Sequence, residues 1–218
     1  MTKRYNGGSD VTIIGTIVRD GIFVYERDGE NFYEIIVKVS NFEDGYMKNE
    51  IGDRVFFPVI ISEKILADVQ SCQGKRIGIN CCLHSYAKKA AHGRSYLDIK
   101  IVARYLLSAA EQKDYFLVSL VGYLCKPLIV KKTADGKMIV DTLLSAARDG
   151  RSEVSDYIPF IVKNKAAKIL KNLSVGDKIA GIGVALGRKS EEKSEKDETL
   201  QIIVSGLKKY PQKSRKKK

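Results

Sequence analysis

An internal repeat limits the fold of this chain more than any other feature of its sequence. Four anchors recur in the same order in the two halves, 101 to 107 positions apart. They pair Val11–Gly15 with Val118–Gly122, Asp28-Gly29 with Asp135-Gly136, Pro58 with Pro159, and Gly74 with Gly176. Because small length changes in loops account for the drift in spacing, the anchors predict a tandem duplication of one small domain.

Each half is predicted to contain five short strands and one helix. Alternating segments in the first half cover residues 11–18 with 23–27, then 32–40, 55–61, 77–83 and 96–105. Helical spacing interrupts the pattern between the third and fourth strands, at residues 62–72 in the first half and 164–173 in the second. This element order is typical of the oligonucleotide-binding barrel, the OB-fold. The sequence therefore predicts an all-β protein of two tandem five-stranded OB-fold barrels, each with a short helix between strands 3 and 4.

The domain boundaries follow from this pattern. A divergent first OB-fold domain is expected over residues 1–107 and a second over residues 114–210, followed by a basic disordered tail over residues 211–218. Residues 85–93 are predicted to be a basic loop and residues 188–198 a hairpin tip without apolar residues. The closing strand is predicted over residues 200–204.

The net charge of +12 is unevenly distributed. Residues 1–109 carry +2 and residues 110–218 carry +10, of which Lys208 to Lys218 supplies +7 without an acid. A basic protein of this kind indicates an anionic polymer as partner, and nucleic acid is the commonest one. The alternative for the tail is a solvated extension without a binding role.

The second half resembles the bacterial single-stranded DNA-binding protein (SSB) family over nearly its whole domain. The resemblance rests on the following segments: Val118-x-Leu120-x-Gly122-x-Leu124 with Pro127, Leu144-Ser145-Ala146-Ala147-Arg148, Asp156-Tyr157-Ile158-Pro159-Phe160, Leu173-x-x-Gly176-Asp177-Lys178-Ile179, and Gly183-x-x-x-x-Arg188. The first half shares the pattern more loosely, chiefly in Val11–Gly15 and at Gly74. The resemblance implies tandem OB-folds that bind single-stranded DNA.

In such proteins, bases stack on exposed aromatic rings and Lys or Arg side chains contact the phosphates. The resemblance places a stacking aromatic at Tyr157, with Phe56 at the equivalent position of the first half, while alternation turns Phe160 and Phe57 into the core. It also places Arg148 at the end of strand two. The alternative for Tyr157 and Phe56 is that each is a half-buried aromatic of its strand, and the alternative for Arg148 and Arg188 is that each is a solvated charge. The remaining candidate nucleic-acid contacts are the aromatic residues Tyr25, Tyr33 and Tyr123 and the cations Lys88, Lys89, Lys163, Arg188 and Lys189.

Several positions depart from the family pattern. The chain has no tryptophan, Ser190 replaces the usual hairpin aromatic, and Lys163 and Ser62 fill another position that is often aromatic. Stacking is therefore expected to be weaker or spread over other rings. The acidic C-terminal tip through which the family recruits partners is replaced by basic residues, which are expected to add affinity for phosphates through counterion release.

Catalysis and metal binding find little support in the sequence. It contains no GxxxxGK[ST] phosphate loop, no nucleophile motif and no CxxC pair, and its histidines, His84 and His92, lack an evident ligand partner. No cofactor, metal or enzymatic activity is expected. The four cysteines are interpreted as free thiols in a reducing compartment. Because no apolar run is long enough for a membrane span, a cytoplasmic location is expected.

The sequence thus predicts largely sequence-independent binding of single-stranded DNA in DNA replication, recombination or repair. Because SSB-family assemblies commonly unite four barrels, two barrels per chain imply a homodimer. One alternative is an RNA-binding or primosome-type OB protein. Another is a dimerising scaffold in which only one barrel binds.

Overall fold

The structure of the chain is a computed structural model that describes residues 8–40, 55–69, 74–89, 93, 95–108, 113–132, 136, 138–148, 151–163, 167, 170, 172–189 and 200–210. The first half forms strands β1 (Gly8–Arg27), β2 (Glu30–Lys38), β3 (Phe56–Ser62), β4 (Arg76–Lys89) and β5 (Ser95–Leu107), with helix α1 (Glu63–Asp68) after β3. The second half forms β6 (Tyr115–Leu124), β7 (Ile129–Lys132), β8 (Met138–Arg148), β9 (Arg151–Lys163), β10 (Lys178–Leu186) and β11 (Gln201–Lys209).

Both halves close into barrels through the same pairings. In the first barrel, β1 pairs with β2 and β4, β3 pairs with β2, and β5 joins β4 to β3. In the second barrel, β6 pairs with β8 and β10, β9 pairs with β8, and β11 joins β10 to β9. The β3–β5 and β9–β11 closures are parallel, whereas the other pairings named here are antiparallel. These pairings confirm the prediction of two OB-fold barrels.

The repeat anchors have the same structural roles in both barrels. A Cβ at Gly15 would overlap the carbonyl oxygen of Lys38, and a Cβ at Gly122 would overlap that of Ser145, which lies 107 positions after Lys38. Only glycine therefore allows the first strand to cross the second this closely. Pro58 and Pro159 each lie one residue before the parallel closure begins, where a missing N–H costs no pairing.

The turn before the fourth strand is also duplicated. Gly74 and Gly176 have φ angles of 81° and 91°, which favour glycine. The N–H of Gly74 donates to the Ile17 carbonyl at 2.6 Å, and that of Gly176 donates to the Leu124 carbonyl at 2.7 Å. Each turn thus holds the start of the fourth strand of its barrel against the first strand, at Ile17 in β1 and at Leu124 in β6.

The two barrels are joined through their first strands. Antiparallel pairing of β1 with β6 runs from Gly8↔Val121 to Ile14↔Tyr115. In the repeat, Gly8 is equivalent to Tyr115 and Ile14 is equivalent to Val121, so the repeat exchanges these two end pairs. A pseudo-twofold axis therefore passes through the central pair Val11↔Val118. The result is a continuous six-stranded sheet in the order β5-β4-β1-β6-β10-β11.

One apolar core runs through both barrels. Phe57 and Phe116 stack with ring centroids 4.2 Å apart, and each is at most 1% exposed. Phe57 and Phe160 point inward, as the alternation predicted. Cys81 and Cys82 are buried free thiols, and of these two only Cys81 belongs to the main core cluster.

Three predicted segments differ from the structure. The predicted loop at residues 85–93 is wrong in its first part, because β4 continues to Lys89 in pairing with β5. The closing strand β11 continues to Lys209, so Lys208 and Lys209 belong to a strand and not to the tail. Helix α1 is shorter than predicted. In the second half, Ala167 and Leu170 are helical and fully buried, whereas residues 172 and 173 at the end of the predicted helix are not helical. The other residues of that predicted helix, most of the hairpin tip at residues 188–198 and the tail at residues 211–218 lie outside the described residues.

Candidate nucleic-acid interface

A stacked aromatic pair lies on the β1–β2 hairpin of the first barrel. The rings of Tyr25 and Phe32 stack with centroids 4.9 Å apart and planes 22° apart. The turn at Asp28-Gly29, where both φ angles are positive, sets this register and places the two residues opposite each other. The predicted site residue Tyr25 therefore has an aromatic partner, Phe32, that was not predicted.

Tyr33 lies on the other face of the same hairpin, because adjacent residues of a strand point to opposite faces. Its ring meets Phe23 edge-on at 6.0 Å and packs against the core. Phe23 itself is 55% exposed. The structure therefore does not bring Tyr33 together with Tyr25, and the ring accessible on that face is Phe23.

The hairpin approaches Tyr86 on β4, whose phenol lies near that of Tyr25. Burial raises the pKa of the Tyr25 phenol, and the neighbouring Tyr86 contributes to the rise. The guanidinium of Arg148, from the second barrel, lies 5.6 Å from the centroid of the Tyr86 ring. At that distance a cation and an aromatic face attract each other.

Arg148 is part of an ion pair at the barrel junction. Its Nη2 lies 2.6 Å from Oδ1 of Asp156, which is 2% exposed, and also donates to the Ser85 carbonyl at 3.1 Å. The hydrogen bond to Asp156 raises the pKa of Arg148. The Asp156 carboxylate in turn accepts the Ser85 N–H at 2.7 Å. Arg148, which the sequence predicted as a nucleic-acid contact, therefore has a structural role as a link between the two barrels.

Tyr157, the predicted stacking aromatic on the third strand, lies at the same junction. Its side chain is 45% exposed, and its N–H donates to Oγ of Ser85 at 2.8 Å. Tyr157 makes this contact between β9 and β4, and Tyr86 follows Ser85 directly in β4. We call the group of Tyr25, Phe32, Tyr86, Arg148 and Tyr157 the aromatic junction.

The repeat generates a second junction with different chemistry. Phe56 and Arg188 are the equivalents of Tyr157 and Tyr86, and their backbones pair directly, with the Arg188 N–H donating to the Phe56 carbonyl at 2.7 Å. Arg188 is 10% exposed at its side chain and lies 3.4 Å from Glu34, which also pairs with Arg19 at 2.9 Å. Lys38 lies 5.5 Å from the Phe56 ring centroid. We call this group, Phe56, Arg188, Glu34, Arg19 and Lys38, the charged junction.

A third aromatic group lies across the outside of the second barrel. Nζ of Lys178 lies 5.7 Å from the ring centroid of Tyr123 and 5.6 Å from that of Tyr210. Tyr123 is 51% exposed and Tyr210 41% exposed. Tyr123 was predicted as a contact, whereas Lys178 and Tyr210 were not.

The remaining predicted cations lie at strand ends. Lys88 follows Tyr86 on the same side of β4, and its hydrogen bond to Asp98 raises its pKa. Lys89 and Lys189 are exposed, and Lys163 is half-buried at the end of β9. Lys88 and Lys89 are therefore close in sequence to the aromatic junction, and Lys189 is next to the charged junction.

His84 lies beside Tyr86 on β4, and the two rings meet edge-on with centroids 6.5 Å apart. Its Nε2 lies 3.4 Å from Sγ of Cys82. Burial lowers the pKa of His84, and Arg148, Arg104 and Arg27 lower it further, against an opposing effect of Asp156. Within the described ranges, no group of three or more His, Cys, Asp and Glu side chains could hold a metal ion. None of the helical segments described is long and apolar enough to cross a membrane.

The fold matches solved structures of single-stranded DNA-binding proteins. A deletion variant of the protein from Thermus aquaticus superposes with a TM-score of 0.73 at 14% identity, over 97% of this chain and 98% of that chain. The wild-type protein from the same organism gives a TM-score of 0.70 at 15% identity, over 95% of each chain. No protein-family model and no curated protein matches the sequence. At these sequence identities the likeness establishes the fold. It therefore confirms, at the level of the fold, the resemblance to the SSB family that the sequence indicated.

Proposed function

We propose that this chain binds single-stranded DNA, with little sequence preference, in DNA replication, recombination or repair. The observation that carries this proposal is the aromatic junction, where Tyr86 of the first barrel and Tyr157 of the second flank the contact between β4 and β9, beside Arg148. Every nucleobase has a π-face, so stacking on such rings is tolerant of sequence and contributes about 1–3 kcal/mol per base. The binding domains would be residues 1–107 and 114–210, and the role is binding, without catalysis.

Charge favours the same ligand. The chain carries a net charge of +12, and Lys88 and Lys89 extend β4 beyond Tyr86. Lysines at this position would track the phosphates of a strand whose bases stack on the junction. The proposed location of the protein is the cytoplasm, a reducing compartment in which thiols such as Cys81 and Cys82 remain free.

The two junctions would not contribute equally. Acids engage cations at both junctions, Glu34 at the charged junction and Asp156 at the aromatic junction, so charge does not distinguish them. The exposure of the rings does, because Tyr157 is 45% exposed and its equivalent Phe56 is half-buried. The proposal therefore assigns the main binding role to the junction of Tyr86 and Tyr157.

Two chains would assemble through the outer face of the six-stranded sheet. Tyr105, Tyr115 and Ile182 lie on that face and are 54%, 44% and 46% exposed. Pairing two such faces around a twofold axis would bring four barrels together. Sedimentation should give the mass of two chains for the wild type and of one chain for Ile182→Asp. The control Val175→Asp, exposed in a turn outside this face, should remain a dimer.

The test of function compares three ligands on the full chain. Fluorescence anisotropy with labelled oligo-dT, oligo-U and duplex DNA should rank oligo-dT first and the duplex last. Tighter binding of oligo-U would favour the RNA-binding alternative. Equal tight binding of the duplex would overturn the single-strand proposal.

A further inference from the structure

We infer that Arg188, which belongs to the second barrel, closes the nucleic-acid face of the first barrel, so that a bound single strand follows the second barrel. The outer face of strands 2 and 3 is the side on which OB-folds hold oligonucleotides. We call this side of β2 and β3 the first face and the same side of β8 and β9 the second face. The inference rests on the proposed function and adds to it which barrel carries the strand.

The strand register places equivalent residues on the two faces. Next to the row of the stacking aromatic, each face has two cross-strand pairs. They are Ile36↔Pro58 and Glu34↔Ile60 on the first face, and Leu143↔Pro159 and Asp141↔Ile161 on the second. Because Ile35 belongs to the core, its neighbour Ile36 points outward. Ile60 points outward for the same reason, since Ile61 belongs to the core.

The outward side chains are covered on the first face and partly accessible on the second. Ile36 is 0% exposed and Ile60 is 3% exposed, although neither belongs to the main core cluster. Their equivalents on the second face, Leu143 and Ile161, are half-buried. A cover therefore lies over the first face.

Arg188 is part of this cover. Its backbone pairs with Phe56 at the edge of β3 that faces away from β2, yet its Nη1 lies 3.4 Å from Oε1 of Glu34 on β2. Because the row of Ile36 lies between the rows of Phe56 and Glu34, this side chain extends over it. The same Glu34 oxygen accepts a hydrogen bond from Arg19 at 2.9 Å, so one carboxylate anchors two guanidinium groups on the first face.

Tyr86, the equivalent of Arg188, is placed differently on the second barrel. The centroid of its ring lies 5.6 Å from the guanidinium of Arg148, the last residue of β8. The row of Tyr157 crosses β8 between Leu143 and Arg148, so the ring and Leu143 lie on opposite sides of that row. Tyr86 therefore leaves the second face open to a strand that stacks on Tyr157.

The second face thus suits a single strand better than the first. A base next to one stacked on Tyr157 would contact Leu143 and Ile161, and burial of apolar surface favours that contact. On the first face, the same contact would require Arg188 to leave Glu34, so an ion pair would have to break before the strand could bind.

The test maps the contacts on the full chain by photocrosslinking. An oligo-dT of about 40 nucleotides that carries 5-iododeoxyuridine is long enough to cover both barrels, since one OB-fold covers roughly 4–16 nucleotides. Crosslinked peptides are identified in the wild type, in Arg188→Ala and in the control Lys64→Ala, which removes a cation from an exposed pair with Glu30 on the first barrel. A titration with poly-dT gives the number of nucleotides bound per chain at saturation.

The wild type and Lys64→Ala should crosslink at Tyr157 and not at Phe56. Arg188→Ala should crosslink at both, and each chain should bind about 4–16 more nucleotides at saturation, the span of one further OB-fold. Wild-type crosslinks at Phe56 as strong as those at Tyr157 would overturn the closed face and leave the proposed function standing. The same holds if Arg188→Ala gains neither crosslinks nor nucleotides, or if Lys64→Ala gains both. A wild type that binds no oligo-dT would overturn the closed face and the proposed function together.

Discussion

The guanidinium of Arg148 and the carboxylate of Asp156 lie 2.6 Å apart, and the same Arg148 nitrogen reaches across the barrel junction to the Ser85 carbonyl. Asp156 is almost fully buried, and its carboxylate also accepts the Ser85 N–H. One ion pair therefore holds the second barrel to β4 of the first. It also fixes the strand segments from which Tyr86 and Tyr157 project.

Replacing Arg148 should destabilise the fold. Arg148→Ala leaves the Asp156 carboxylate buried without its partner, and breaking such pairs costs about 3–5 kcal/mol. Denaturant unfolding measures this decrease in stability. The control Lys131→Ala removes a partner from the exposed pair with Asp141, at 3.9 Å, and should cost less than about 1 kcal/mol. Equally small decreases in both variants would show that the junction does not depend on this ion pair.

Tyr157 should carry more of the binding than Phe56. Removing an exposed stacking ring costs about 1–3 kcal/mol per base, so Tyr157→Ala should weaken oligo-dT binding by roughly 5- to 150-fold. Tyr157→Phe keeps the ring and should bind like the wild type. Phe56→Ala should have a smaller effect, because Phe56 is half-buried and its backbone is paired with Arg188. If both alanine variants keep full affinity in an anisotropy titration, the stacking assignments are wrong.

His84 should make stability depend on pH. Burial lowers its pKa in the folded state, so the unfolded chain binds a proton first as the pH falls. Stability should be complete above the roughly 6.5 of a free histidine and should decline below it. Urea unfolding at about pH 7.5 and about pH 5.5 measures this decline. His84→Gln should reduce it, and an unchanged difference between the two pH values in that variant would assign the effect to other groups.

The tail should act through charge alone. A chain ending at Tyr210 is shorter by five cations but keeps the whole of β11. The slope of log affinity against log salt for oligo-dT should therefore become shallower, by about 0.7 for each phosphate that the tail neutralises. The full-length chain is the reference. An unchanged slope would remove the tail from the mechanism.

The barrels could be predicted from sequence because their signals are local or lie in the backbone. Gly15 and Gly122 are needed where one strand crosses another's carbonyl, and Pro58 and Pro159 are tolerated just before the parallel closure. Such constraints remain after duplication even when the side chains around them change. The shared pattern of the two halves was therefore readable without the structure.

The site was less predictable because its contacts join residues far apart in the chain. Nothing near Arg148 in the sequence indicates Ser85 as its partner, and the polar end of β4 resembles a loop until Asp156 and β5 pair with it. Phe32 could have been found, since a two-residue turn at Asp28-Gly29 places it opposite Tyr25. Tyr86 and Tyr210 gave no local signal.

Salt dependence gives the most direct test of the central claim, which is that bases stack on the aromatic junction. Affinities of the full chain for oligo-dT and for duplex DNA are measured up to about 1 M salt, where phosphate contacts are largely screened. We expect oligo-dT to retain measurable affinity there, the duplex to lose it, and Tyr86→Ala/Tyr157→Ala to lose the residual affinity for oligo-dT. If the affinities for oligo-dT and for duplex DNA fall together with salt, both in the wild type and in the double variant, then binding is electrostatic and the account is contradicted.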